Sequence, residues 1–291
     1  MTKHFLANTV LFPLLFSAFV VNAAPLDRER ELQVSEKLEE ELKDGEIMWL
    51  DANGEKFQAI LKKHTSDLTI GAAIILHGMS AHADWPQTIS PIRRALPEYG
   101  WTTLSIQLPV IAAENQIEDY GKTLDRSVER IEAAINALHE LKFRNIVAIG
   151  HSFGAVSALS YFAKADGRRI VALVAIGLQD YAFVKPPIDI FGLIEKSNIP
   201  FLDIYGSRDY KKATDQAADR RLAAKKGGNR DYIQVEIEGA DHYFTKLEGV
   251  MIKRVRGWMQ KAAPGVSIFI DLEKESMEKK TKEDNEIQTG Q

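Results

Sequence analysis

The chain has 291 residues, of which 45% are hydrophobic and 27% charged, and its formal net charge is −4. This balance is typical of a globular protein, and the lack of a basic excess argues against nucleic acid as a partner. The sequence contains no cysteine, which excludes disulfides, thiolate metal ligands and a cysteine nucleophile. A chain of this length can bury a core large enough to fold without cross-links.

The first 23 residues have the pattern of a secretory signal peptide. Lys3 and His4 form a positive start, and residues 5–21 are mostly apolar. We expect cleavage after Ala23, which would make the protein periplasmic or secreted. The alternative is an uncleaved anchor, but the apolar stretch is shorter than the ~20 residues that a spanning helix needs. No second long apolar run follows, so we expect no transmembrane span in the mature protein.

Residues 24–45 form a charged segment, in which 27–45 are predicted to be helical and to lie on the surface. Asn53-Gly54 then separates two apolar runs, 47–50 and 57–61. Asn and Gly both accept a positive φ, so this pattern predicts an antiparallel hairpin.

Strands and helices then alternate along the chain. Short apolar runs such as 71–76 (GAAIIL) predict buried strands, and apolar residues at helical spacing predict helices between them. The predicted strands are 71–76, 101–107, 145–149, 170–176, 201–205 and 232–237, and the predicted helices are 88–97, 119–141, 153–165, 211–225 and 246–261.

This alternation indicates an α/β fold with a mostly parallel central sheet, helices on both of its faces, and the N-terminal antiparallel hairpin at one edge. We assign the folded domain to residues 46–270. Residues 271–291 are rich in charge and poor in apolar side chains, so they are predicted to be a disordered tail.

Residues 150–154 (GHSFG) match the pattern G-x-S-x-G. A predicted strand ends just before this motif and a predicted helix begins at Phe153. A sharp strand-to-helix turn of this kind exposes a serine hydroxyl, and its glycines avoid clashes. Ser152 is therefore the candidate nucleophile. The alternative is a glycine-rich turn that serves packing alone.

A serine hydroxyl is a weak nucleophile until a base takes its proton. His242 is the only histidine after Ser152, and it follows the last predicted strand. A loop at the carboxyl end of that strand would present the imidazole to the nucleophile, so His242 is the candidate base.

The base needs an acid that fixes its tautomer and stabilises the imidazolium. Asp209 follows the strand that ends at Tyr205, and it precedes His242 by enough residues for one helix and one strand. It is the candidate acid, although it also suits the N-cap of the next helix. Asp180, after the preceding strand, is the second choice.

His77-Gly78 ends the predicted strand 71–76. A pair of this kind typically opens the loop that gives one oxyanion donor, here the backbone N–H of Met79. The second donor is the N–H of Phe153, at the start of a helix. His77 itself is predicted to be structural. Three further residues of this loop either line the cleft or only pack the loop: His82, Asp84 and Trp85.

The remaining motifs predict no cofactor. No group of histidines and carboxylates has metal-ligand spacing, and neither G-x-G-x-x-G nor a Walker motif occurs. His151, beside the nucleophile, is expected to shape the turn rather than to react.

Together, His77-Gly78, the GHSFG turn, Asp209 and His242 resemble the α/β-hydrolase superfamily over residues 46–262. The stretches 76–86 (LHGMSAHADWP) and 104–110 (LSIQLPV) resemble, more narrowly, an uncharacterised bacterial envelope family, known only as a domain of unknown function with an α/β-hydrolase-type fold. Many members of the superfamily carry a large cap domain, whereas here only residues 178–199 are available for one. This stretch forms a small apolar lid or a packed loop, through Tyr181, Phe183, Pro186, Pro187 and Phe191.

The resemblance implies a serine hydrolase that cleaves an ester or related acyl bond of a small molecule through an acyl-enzyme. The alternative is a non-catalytic binding or scaffold protein of the envelope, because a fold does not by itself imply a function. The sequence does not indicate an oligomeric state.

Overall fold

The structure is a computed structural model that describes residues 26–164 and 169–265. The predicted signal peptide and the predicted tail therefore lie outside the described residues. Eight strands are present in this part of the chain: β1 (Glu46–Ala52), β2 (Glu55–Lys62), β3 (Gly71–Leu76), β4 (Trp101–Ile106), β5 (Ile146–His151), β6 (Ala172–Ile176), β7 (Phe201–Gly206) and β8 (Tyr232–Ile237).

All eight strands form one sheet in the order β1-β2-β4-β3-β5-β6-β7-β8. The β1–β2 and β2–β4 pairings are antiparallel, and every other pairing is parallel. Ala52 pairs with Glu55 across the Asn53-Gly54 turn, and Asn53 has a φ of 54° and Gly54 a φ of 87°. The predicted edge hairpin and the mostly parallel sheet are thus confirmed.

Helices connect and cover the strands. The α-helices are α1 (Arg28–Glu41), α2 (Ile89–Ala95), α3 (Leu124–Glu140), α4 (Phe153–Lys164), α5 (Ile190–Lys196), α6 (Lys211–Asp215), α7 (Ala217–Lys226) and α8 (Glu248–Ala262), and two 3₁₀ helices span Leu96–Tyr99 and Ile117–Thr123. Two differences from the predictions stand out. The predicted helix 211–225 is broken at Gln216, and α5 lies in the stretch that was expected to be a lid or a loop.

The core has two layers, one on each face of the sheet. Successive residues of β3 alternate between them: Ala72, Ile74 and Leu76 face one layer, and Ala73 and Ile75 face the other. Helices α3, α4, α5 and α7 supply the first layer, whereas α2 and α8 supply the second. Burial on both faces explains why the central strands have continuous apolar sequences.

Helix α1 is attached to the domain by buried polar contacts. Glu31, which is only 5% exposed, accepts a hydrogen bond from Arg130 of α3 at 3.0 Å and another from the Val110 N–H at 3.2 Å. The amide of Gln58 in β2 donates to the Ser35 carbonyl at 3.1 Å. The segment was expected to lie on the surface, but its contact face is built from charge pairing, which a search for apolar residues cannot detect.

A second buried ion pair lies between β7, β8 and α7. Asp203 and Arg220 have fully buried side chains, and Arg220 Nε donates to Asp203 Oδ2 at 2.7 Å. The same oxygen accepts from the Tyr232 hydroxyl at 2.6 Å and from the Gln234 amide at 2.8 Å. Arg220 Nη2 reaches Oδ1 at 3.4 Å. Both carboxylate oxygens therefore have protein partners.

Within the two described ranges, no helix is both long enough and apolar enough to cross a membrane.

Candidate active site

Ser152 occupies the turn between β5 and α4 in a strained backbone conformation. Its φ is 55°, in the left-handed region, and its N–H donates to the Ile176 carbonyl at 2.8 Å. Non-glycine residues rarely adopt this conformation, and they often do so at functional sites. The turn therefore has the strand-to-helix geometry that the GHSFG motif predicts.

The two glycines of the motif are required by close packing. A Cβ on Gly150 would lie 2.4 Å from the Ala155 nitrogen, and a Cβ on Gly154 would lie 2.3 Å from the Leu76 carbonyl oxygen. Both distances are too short for any side chain. The glycines thus allow α4 to begin directly against β3 and β5, with Ser152 at the tip of the turn.

His242 and Asp209 meet beyond the carboxyl ends of β8 and β7. The His242 Nδ1–H donates to Asp209 Oδ1 at 2.6 Å, and both side chains are buried. The Tyr210 N–H donates to the same Oδ1 at 2.7 Å, and Asp209 Oδ2 has no hydrogen-bond partner among the described residues. The bond to Nδ1 leaves Nε2 as the nitrogen that can accept a proton.

Aromatic rings fix the plane of the His242 imidazole. Tyr210 stacks on it, with ring centroids 4.2 Å apart and planes 26° apart. The His151 ring lies 4.7 Å away on another side, and its Nε2–H donates to the His242 carbonyl at 3.0 Å. Gly177 completes the packing, because a Cβ there would lie 2.9 Å from the imidazole Cε1.

Ser152 and His242 line the same cavity, which has a volume of about 220 Å³. Five aromatic side chains form much of its wall: Trp85, Tyr181, Phe183, Tyr210 and Tyr243. A larger depression of about 510 Å³ lies elsewhere, beside Asp44, Lys62 and Arg94, but neither Ser152 nor His242 lines it. The smaller cavity is therefore the candidate site.

The Ser152 hydroxyl makes its hydrogen bond with Tyr181, not with His242. The two hydroxyl oxygens are 2.8 Å apart, and the Gln179 amide donates to the tyrosine oxygen at 3.5 Å. Tyr181 is 1% exposed, and burial raises the pKa of its phenol to about 12. No motif predicted this contact.

Two backbone N–H groups near Ser152 are free. In the part of the chain that the structure describes, the Met79 and Phe153 N–H groups have no hydrogen-bond acceptor. Met79 lines the cavity and Phe153 begins α4. Gly78 approaches the turn closely, since a Cβ there would lie 3.1 Å from the Ser152 Cβ. These donors stand where an anionic oxygen could be stabilised.

The second choice for the acid makes no hydrogen bond with the imidazole among the described residues. Asp180 accepts from the Ala182 N–H at 2.9 Å and forms an ion pair with Lys212 at 3.3 Å. It therefore stabilises the loop after β6, whereas Asp209 holds His242.

The other histidines near the site have structural contacts. The His77 Nδ1–H donates to the Gly78 carbonyl at 2.7 Å, and its Nε2 accepts from the Leu108 N–H at 2.8 Å. Burial lowers the pKa of His77 and that of His151 to about 3, so both rings are neutral at physiological pH.

The loop after β3 divides its side chains between several places. Trp85 lines the cavity, Asp84 pairs with the buried Arg93 at 2.8 Å, and His82 lies in a small pocket beside α1. Within residues 26–164 and 169–265, no group of three or more histidines and carboxylates could hold a metal ion.

Sheet order, turn and helix placement together define an α/β-hydrolase fold, and known structures share it. The PF2001 esterase of Pyrococcus furiosus matches with a TM-score of 0.63 at 18% identity, over 78% of this chain and 94% of that chain. Est1E from Butyrivibrio proteoclasticus, with ferulic acid bound, matches with a TM-score of 0.62 at 18% identity, over 74% of this chain and 98% of that chain.

A third structure, XC6422 from Xanthomonas campestris, is described as an α/β serine hydrolase without a lid. It matches with a TM-score of 0.58 at 15% identity, over 76% of this chain and 96% of that chain. At such identities the similarity establishes the fold alone.

The chain belongs to the family described as "Protein of unknown function (DUF3530)", whose model matches residues 18–123 and 112–261. Comparison with curated proteins gives no match. The resemblance to a family of unknown function with this fold is thus confirmed.

Proposed function

We propose that the protein is a serine hydrolase that cleaves an ester or related acyl bond of a small molecule. Ser152 is the nucleophile, His242 the general base and Asp209 the acid that orients it. The observation that carries this proposal is the 2.6 Å bond between His242 Nδ1 and Asp209 Oδ1, buried beside the cavity that Ser152 lines. The esterases that share the fold support it as analogy.

In the proposed reaction, His242 Nε2 takes the proton of the Ser152 hydroxyl as Oγ attacks the acyl carbon. The imidazolium then gives that proton to the leaving oxygen, and an acyl-enzyme remains. Water, deprotonated by the same imidazole, releases the acid and restores Ser152. No hydrogen bond joins Ser152 Oγ to His242 here, and catalytic hydrogen bonds often tighten only when substrate binds.

The free N–H groups of Met79 and Phe153 supply the proposed oxyanion hole. Charge develops on the acyl oxygen during attack, and fixed N–H donors stabilise it more in the transition state than in the substrate. Their freedom from other acceptors supports this role, since a donor that is already bonded would have to break a bond first.

The cavity favours a small substrate with an apolar or aromatic group. Its volume of about 220 Å³ is modest, and aromatic side chains form much of its wall. The ferulic acid bound in Est1E shows that an aromatic acid fits the corresponding fold there. A panel of p-nitrophenyl esters with alkyl and aryl acyl groups would define the preference.

The predicted signal peptide lies outside the described residues, and a periplasmic or secreted location is part of the proposal. Sequencing the N-terminus of the exported protein tests it, with Ala24 expected as the first residue. An N-terminus that retains residues 1–23 would contradict the cleavage.

A fluorophosphonate probe, followed by intact mass measurement, tests the proposed chemistry. We expect one covalent adduct on the wild type, none on Ser152→Ala, and labelling slowed at least ~10³-fold in His242→Ala. Ser157→Ala is the matched control, because Ser157 is a buried serine of α4 whose hydroxyl donates to the Phe153 carbonyl. It should label like the wild type.

The alternative is a non-catalytic binding or scaffold protein. The observation that favours it is the bond of the Ser152 hydroxyl to Tyr181 instead of His242. Folded wild-type protein that stays unlabelled by the probe would support this alternative and contradict the hydrolase.

A further inference from the structure

The loop between β6 and α5 presents one side chain to the reacting atom of the proposed hydrolase. Tyr181 lies beyond the carboxyl end of β6, and its hydroxyl oxygen is 2.8 Å from Ser152 Oγ. We propose that Tyr181 is a catalytic residue, whose phenol donates a hydrogen bond to Ser152 Oγ and stabilises the charge that this oxygen carries during the reaction. This inference rests on the proposed function.

The direction of the hydrogen bond follows from the available partners. The Tyr181 oxygen already accepts from the Gln179 amide, and among the described residues its only other hydrogen-bond partner is Ser152. If Ser152 donated, the phenol proton would have no acceptor in a buried site, which is costly. If Tyr181 donates, the phenol proton has an acceptor, and the serine proton stays available for His242, which lines the same cavity as Ser152.

The phenol is held in place from several sides. Its ring packs edge-on against Phe153, with centroids 5.3 Å apart, and its backbone forms an antiparallel bridge with Ile188. The Val184 N–H donates to the Tyr181 carbonyl at 3.2 Å, which closes the loop. A donor fixed in this way needs little reorganisation when charge develops, and this is the condition under which hydrogen bonds accelerate reactions most.

The proposed role covers both halves of the reaction. During acylation, Oγ loses its proton to His242 and becomes more negative as it attacks. During deacylation, the same Oγ is the leaving atom and carries negative charge until His242 returns the proton. Tyr181 transfers no proton in either step, because burial holds the pKa of its phenol near 12, far above the working range.

Tyr181→Phe removes only the hydroxyl and tests the inference. We expect the rate constant for fluorophosphonate labelling to fall about 10–100-fold, and kcat for p-nitrophenyl acetate to fall by a similar factor with KM little changed. The pre-steady-state burst should show that acylation and deacylation both slow. A purely structural role of the hydroxyl predicts no such fall in kcat at nearly constant KM.

Tyr161→Phe is the matched control. Tyr161 is also a fully buried tyrosine, on α4, and its hydroxyl donates to Glu132 at 2.9 Å away from the cavity. This variant should label and turn over like the wild type. Labelling of Tyr181→Phe within twofold of the wild type, or faster, would overturn the inference while leaving the hydrolase proposal intact. A wild type that does not label would instead refute the hydrolase itself.

If Tyr181→Phe does not fold, 3-fluorotyrosine at position 181 provides a second test. Fluorine keeps the ring and the hydroxyl but makes the phenol more acidic, and hence a stronger donor. Labelling at pH 7 should become severalfold faster. An unchanged rate in this folded variant would show that the hydroxyl does not act on Ser152, and it would overturn the inference.

Discussion

Asp203 and Asp209 lie six positions apart, one within β7 and the other just after it, and both carboxylates are buried. Their surroundings differ. Asp203 bonds to Arg220, Tyr232 and Gln234 through both oxygens, whereas Asp209 Oδ1 accepts from His242 and from a backbone N–H and Oδ2 has no partner among the described residues.

The difference separates a carboxylate with a structural role from one with a proposed chemical role. The partner of Asp203 is a guanidinium, which stays charged at any ordinary pH and therefore cannot act as a base. The partner of Asp209 is an imidazole that lines the same cavity as Ser152, and its second ring nitrogen can accept a proton. Burial alone therefore does not make a carboxylate a candidate acid, whereas a hydrogen bond to an imidazole that lines the cavity does.

The same substitution should lower activity at position 209 and stability at position 203. Asp209→Asn should have the larger effect. An amide cannot stabilise the imidazolium and favours the wrong tautomer, so we expect kcat to fall about 10³–10⁴-fold. The free energy of unfolding, measured in urea, should change by no more than about 1 kcal/mol. A variant that retains more than a tenth of wild-type activity would contradict the role of Asp209.

Asp203→Asn should instead act on stability. It leaves the Arg220 guanidinium buried without its counter-charge, and this typically costs about 3–5 kcal/mol. We expect the free energy of unfolding to fall by that amount, while the folded fraction keeps the wild-type rate of probe labelling. A large loss of labelling in the folded fraction would break the distinction between the two carboxylates.

The smallest expected effect is on how the free energy of unfolding depends on pH. It comes from His77, which has no part in the proposed reaction. Burial lowers the pKa of His77 to about 3 in the folded state, against about 6.5 in the unfolded chain. The unfolded state therefore binds more protons between these values. The stabilisation is complete above pH 6.5 and is lost as the pH falls towards 3.

Between pH 7 and pH 5 we expect this histidine to remove about 2 kcal/mol from the free energy of unfolding. Urea titrations of wild type and His77→Gln at the two pH values measure it. The variant should be less stable overall but should lose about 2 kcal/mol less on acidification. Equal losses in both proteins would show that another group carries the acid sensitivity.

Much of the fold and of the candidate site could be predicted from the sequence, because local patterns carry it. Asn53-Gly54 fixes a hairpin, continuous apolar runs mark the central strands, and strand order brings the loops that hold Asp209 and His242 to one edge. In each case a short stretch, together with the rule that parallel strands end at one edge, determines the position.

The contacts that could not be predicted join distant residues without a repeating pattern. Tyr181 reaches Ser152 from an irregular loop, where no periodicity tells which way a side chain points. Glu31 is buried against Arg130, although both residue types are normally exposed. The break between α6 and α7 at Gln216 also follows from tertiary packing, since the sequence there suits a continuous helix.

The attachment of α1 has a consequence for synthesis of the chain. Glu31 must wait for Arg130, which is made 99 residues later. At about 5–20 residues per second, synthesis alone makes this delay on the order of 5–20 s, and the proposed export would lengthen it. A helix rich in charge stays solvated and does not aggregate before it docks. An apolar helix in the same place would bind other exposed apolar surfaces. The polar contact face of α1 thus suits a segment that is translated early and docks late.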